Sequence, residues 1–72
     1  HDPAIPYKEY LQSALFNRLA GRVKISDLIH NLSHNPSNRQ IKKYRDALSG
    51  IKIPAHIDRS HLHALYTILK GV

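Results

Sequence analysis

Lys24, Asp27, Asn31 and His34 recur at three- and four-residue steps within the stretch VKISDLIHNLSH. On a helix that turns 100° per residue they share an arc of about 80°, so they would form one polar row. A plain account of that row is a solvated face on which Lys24 and Asp27 make an i,i+3 ion pair that contributes a few tenths of a kcal/mol. The other account is an organised polar side that serves chemistry. His30 and His34 also stand four residues apart, the spacing by which two imidazoles on one helical face can bind zinc. HNLSH, however, lacks the glutamate of the zincin motif, and the sequence offers no evident third ligand. His61 and His63, two residues apart on a helix, face different directions and cannot chelate one ion together. No serine or cysteine nucleophile arrangement and no glycine-rich phosphate loop is present.

Helices are required to place these groups. Tyr7, Tyr10, Leu11, Ala14 and Leu15 follow the spacing of a helix that buries one face, which predicts a first helix over about residues 7 to 16 with Pro6 at its start. Asn17 is a candidate cap for a second helix. In it Leu19, Ala20 and Val23 lead into Ile25, Leu28, Ile29 and Leu32, before SHNPSN ends it with an Asn-Pro pair. The last four apolar residues fill an arc of about 100°, well separated from the polar row. Ser37 caps a third helix with Ile41, Tyr44, Ala47 and Leu48 on its inner side and Gly50 at its stop. IKIPAHI then reads as an irregular or extended link. Asp58 caps a fourth helix striped by Leu62, Leu65, Tyr66 and Leu69 and closed by Gly71. The expectation is an all-α chain of four helices, either a single domain or a fragment over residues 1 to 72.

With 72 residues and no cysteine, the chain can bury only a small core and has no disulfide or thiolate zinc site to brace it. A reducing cytoplasm is the default expectation, and no run is long enough to span a bilayer. Lys and Arg number 11 against 5 acids, a net charge of +6, which favours phosphate-rich partners. Arg39, Lys42, Lys43 and Arg45 are expected on the solvated face of the third helix, where with Arg18 and Arg22 they could attract phosphates.

Two further motifs flank the polar row. YKEYLQSALFNRLAGRVKISDLIHNLSHNP followed by RQIKKYRDALSGI resembles the carboxy-terminal half of HD-domain metal-dependent phosphohydrolases, especially the small guanosine polyphosphate pyrophosphohydrolases. In that family a Y-x-x-Y helix precedes A-x-x-V-K-L-A-D-L-x-H-N, and a K-Y-x-x-A-L helix comes after it. The counterparts are Tyr7 and Tyr10, then Ala20 to Asn31, then Lys43, Tyr44, Ala47 and Leu48, so the likeness covers about residues 7 to 51. Residues 52 to 72 add the link and the last helix.

The resemblance implies that Asp27 is the last ligand of a divalent metal, manganese, magnesium or iron, whose other ligands lie upstream. Such an ion acidifies its bound water and polarises a phosphoryl oxygen. Asn31, which matches the asparagine of the family's H-N pair, and Lys24 would orient the carboxylate or touch the substrate's phosphates and sugar. Leu28 and His34 stand where long bifunctional members carry an arginine and a threonine that hold the guanosine nucleotide, so these two positions lend guanosine tetraphosphate specificity no support, and a (p)ppGpp-like nucleotide stays one expected substrate of the resemblance.

The family's upstream histidine and its His-Asp pair have no counterpart here. His1-Asp2 spells the pair but lies too close to Asp27, in a proline-broken segment, and is read as coincidence. With one ligand of four and no catalytic residue of its own, the isolated chain is expected to hold no metal tightly, to be inactive and to self-associate. The expected function is the later part of a hydrolase of nucleotide phosphates, with nucleic acid an improbable partner and no membrane role. The alternative is a small basic helical module that binds nucleic acid through a helix-turn-helix-like pair.

Overall fold

The computed structural model describes residues 6–72. Four helices follow in order: α1 (Tyr7–Phe16), α2 (Arg18–Ser33), α3 (Asn38–Leu48) and α4 (Arg59–Gly71). The chain is all-α, as the periodicity predicts. His1-Asp2 lies outside the described residues.

Local chemistry fixes the helix boundaries. The Pro6 carbonyl accepts the Tyr10 amide at 3.1 Å and opens α1. Asn17 alone separates α1 from α2, in extended backbone, and its side-chain oxygen accepts the Ala20 amide at 2.9 Å. Ser37 and Asp58 do the same for Gln40 and His61, so each of these caps satisfies an amide that its helix cannot. Between α2 and α3, Asn35 adopts φ 52°, a left-handed conformation that asparagine tolerates better than most residues, and Pro36 follows. After α3, Gly50 turns the chain at φ 75°, where a side chain would be strained.

α2 is the central element and packs against α1 on one side and α4 on another, while α3 lies on α1. The core is wholly apolar: Leu11, Leu15, Ile25, Leu28 and Leu65 are its most enclosed members, joined by Leu32, Tyr44, Ala47, Leu48, Ile57, Leu62 and Leu69. Gly21 is buried at the meeting of α1, α2 and the link, where an added Cβ would lie 3.1 Å from Ile57 Cδ1, 3.1 Å from the Leu15 carbonyl oxygen and 3.2 Å from Leu15 Cα.

The apolar stripes need two corrections. Leu19 (73% exposed) and Val23 (60%) continue the sequence of apolar residues in α2 but not its buried face, because they fall on the side turned away from α4 and the core. Phe16 is 58% exposed beside them. Tyr66 is also exposed, one position off the line of Leu62, Leu65 and Leu69, and those three leucines are buried inside this fold.

The link from Ser49 to His56 is held by side chains of α1. Lys8 Nζ donates to the Ser49 carbonyl. Gln12 donates to the Lys52 carbonyl and accepts the Lys52 amide, each at 2.8 Å. One turn on, the Leu15 carbonyl lies 2.8 Å from His56 Nε2. At the other end of the molecule, Arg45 donates to the carbonyls of Leu69 (3.0 Å) and Val72 (2.7 Å) and so closes the end of α4.

Candidate functional site

α2 turns its polar row toward the tyrosines of α1 and α3. Lys24 Nζ donates to Asp27 Oδ2 at 3.1 Å, the i,i+3 pair that the spacing predicts. The same ammonium stands 5.6 Å from the Tyr7 ring centroid and 5.4 Å from that of Tyr10, so its charge is shared between the carboxylate and two aromatic faces. Asp27 is about half exposed, whereas Lys24 is largely covered. The lysine therefore lies against the rings and holds one oxygen of a half-exposed carboxylate.

Asn31, one turn further along, is half-buried and donates through Nδ2 to the Tyr44 hydroxyl at 3.0 Å. Tyr7 lies against both Tyr10 and Tyr44, with ring centroids 5.9 Å apart in each pair. Lys43 sits over the outer side of Tyr7 at 4.3 Å from its centroid. Lys24, Asp27 and Asn31 thus belong to one polar and aromatic cluster that joins three helices. His34 shares their arc on the helical wheel but not their surroundings. It terminates α2, with Nδ1 2.7 Å from the His30 carbonyl oxygen.

Burial raises the pKa of Tyr7, an effect only partly offset by the charge and hydrogen bond of Lys24. For Lys24, desolvation pulls the value down, but the Tyr7 oxygen and the hydrogen-bonded Asp27 carboxylate outweigh it and leave the ammonium above its ordinary value. The protonated lysine is thereby the favoured state beside Asp27.

Beyond Asp27 a groove of about 520 Å³ runs between α1 and α2, with Tyr10, Ala14, Leu19 and Val23 along its walls and the Lys24–Asp27 pair at its end. Exposed apolar walls that lead to a charged pair suit a ligand or chain with both apolar and polar parts.

Among the described residues, no group of three or more His, Cys, Asp or Glu side chains comes together in a way that could hold a metal ion. Asp27 can supply one oxygen ligand, and the described residues alone do not make a metal centre. His30 and His34 are close, with ring centroids 4.2 Å apart, but no third donor joins them. His61 and His63 diverge as their spacing requires: His61 Nε2 is 3.1 Å from Ser26 Oγ, while His63 is exposed.

The cationic cluster of α3 is solvated as expected, with Arg39, Lys42, Lys43 and Arg45 all exposed. From that surface Lys43 and Arg45 also reach the Tyr7 ring and the α4 terminus, contacts that the helical wheel does not reveal. Gln12 and His56 emerge as organising residues that the spacing of like residues could not identify, because each acts on a partner distant in sequence. Among the described residues, no helix is long and apolar enough to cross a membrane. Compared with known proteins, the chain matches no family model, and no curated protein or solved structure is significantly similar to it.

Proposed function

We propose that this chain is the later part of an HD-type metal-dependent phosphohydrolase that acts on nucleotide phosphates, with guanosine polyphosphates as one candidate substrate. In this reading Asp27 supplies one oxygen ligand to a divalent ion, manganese, magnesium or iron, and the remaining ligands come from chain outside the described residues. Lys24 holds the carboxylate in a single orientation. Asn31, fixed through its Nδ2 by Tyr44, keeps its carbonyl oxygen and second N–H for a substrate sugar or phosphate.

One observation carries the reading: a half-exposed carboxylate is oriented by a largely covered lysine, on the face of α2 that the core does not use. A simple solvated ion pair would not need an ammonium set against two aromatic rings. The supporting sequence likeness places the same aspartate, asparagine and tyrosines in the same order.

The test uses the whole gene product that contains these residues. Release of phosphate or pyrophosphate from nucleotide substrates should depend on added Mn²⁺, and Asp27→Ala should abolish it while the helical circular dichroism is unchanged. Turnover that persists in Asp27→Ala, or is indifferent to chelation, would remove Asp27 from any metal role.

A further inference from the structure

On the far side of α2 from Asp27, a second cleft of about 300 Å³ opens between the first turns of α2 and the link that enters α4. Arg18 and Arg22, one helical turn apart, form one wall, and His56 and His61 form the other. At 100° per residue the two arginines lie about 140 to 180° around the helix from Asp27, so this cleft is separate from the groove beside the Lys24–Asp27 pair.

The construction of the cleft follows from Gly21. This glycine lies between the two arginines in sequence, and its missing side chain lets Ile57 approach α2 closely. The link is thereby drawn against the helix, which sets His56 and Asp58 opposite Arg18 and Arg22. Ile25 and Ile57, both buried, make an apolar floor that limits competition from water for any ion held above it.

Cationic groups dominate the walls. Neither Arg18 nor Arg22 has a hydrogen-bond or ion-pair partner among the described residues. Asp58 is the one carboxylate lining the cleft, and its Oδ1 already accepts the His61 amide as the cap of α4. His56 donates its Nε2–H to the Leu15 carbonyl, and His61 Nε2 lies 3.1 Å from Ser26 Oγ, so each ring is held in place at the cleft wall.

We infer that this cleft binds a phosphate or pyrophosphate group. Two guanidinium forks present more N–H donors than the two oxygens of a carboxylate can accept, whereas the three or four oxygens around each phosphorus match them. The volume accommodates a pyrophosphate with bound water. The site stands apart from the hydrolase reading, because it involves neither Asp27 nor a metal.

The experiment is a titration of the protein with inorganic phosphate and inorganic pyrophosphate, without divalent metal and at low ionic strength, followed by amide and imidazole NMR shifts. Saturable shifts should centre on Arg18, Arg22, His56 and His61, with pyrophosphate bound more tightly than phosphate. Arg18→Ala combined with Arg22→Ala should weaken pyrophosphate binding by about tenfold or more, the scale of lost charge-assisted hydrogen bonds. Arg39→Ala with Lys42→Ala removes the same net charge from the exposed face of α3 and should leave the affinity nearly unchanged. Absence of saturation in the parent protein overturns the site, and so does an equal loss in the two double variants, which would mean diffuse attraction to a basic surface.

Discussion

The Asn31 side chain and the Tyr44 hydroxyl are joined by a 3.0 Å hydrogen bond that links α2 to α3 at the edge of the core. Gln40 Nε2, at 3.5 Å from the same hydroxyl, is at the limit of a useful contact. Tyr44→Phe should therefore leave the half-buried Asn31 amide short of an acceptor and cost about 0.5 to 1.5 kcal/mol. In a domain of this size the melting temperature should fall by several degrees. The coupling measured with Asn31→Ala in a double-mutant cycle should account for most of that loss, and an absent coupling energy would show that the two groups act independently.

Gly21→Ala sets helix propensity against packing. Alanine is worth about 1 kcal/mol more than glycine inside a helix, which favours the substitution. Its Cβ, however, meets the Leu15 backbone at 3.1 and 3.2 Å, and backbone cannot swing aside as a side-chain end can. Overpacking of this kind costs about 1 to 3 kcal/mol, so the net change should be a loss of stability. Denaturant unfolding that showed Gly21→Ala to be more stable would mean that α1 can shift at no cost.

Stability should fall on the alkaline side. Burial raises Tyr7 above its ordinary value of 10.0, and Lys24 stands above 10.5 because Tyr7 and Asp27 outweigh its own desolvation. Both folded-state values exceed the unfolded ones, so their contribution is complete below about pH 10 and is lost as pH rises through the folded values. Tyr66, raised by burial, acts with the same sign. Thermal melts from about pH 9 to 11.5 should show the decline, and Tyr7→Phe should flatten it by removing one of the titrating groups. A profile identical in Tyr7→Phe would locate the alkaline loss elsewhere.

Two apolar positions on α2 should respond very differently. Leu28 is completely enclosed, so Leu28→Ala should cost about 2 to 5 kcal/mol, a large share of the stability available to a small domain. Val23→Ser, on the exposed wall of the groove, should change stability by less than about 0.5 kcal/mol. Urea midpoints compare the two directly, and a large loss at Val23 would mean that this residue is covered in solution.

The helices and their caps were legible because both are local. Asn17, Ser37 and Asp58 cap amides three residues away, and the arc of Ile25, Leu28 and Leu32 records a buried face through spacing alone. The Lys24–Asp27 pair is legible for the same reason. What the pattern could not reveal depends on partners distant in sequence. Leu19 and Val23 look like core until the approach of α1 and α4 shows which side of α2 is covered. Arg45 is a surface cation, as its spacing suggests, but its bonds to the end of α4 are invisible in the pattern. Gly21 reads as a weak helix position until Ile57 is seen against it. At the candidate site, spacing gathers Lys24, Asp27 and Asn31 on one face, but the tyrosines that hold Lys24 and Asn31 come from α1 and α3.

The row of contacts from Lys8, Gln12 and Leu15 to the link joins residues 40 or 41 positions apart, a large span for so short a chain. Closing a loop of that length sacrifices chain entropy before any of these bonds forms, so α1 should pack on α2, its neighbour in sequence, before the link docks on α1. During synthesis α1 and α2 would leave the ribosome as an adjoining pair, and the anchors on residues 49 to 56 would lock α1 in place only once they had emerged.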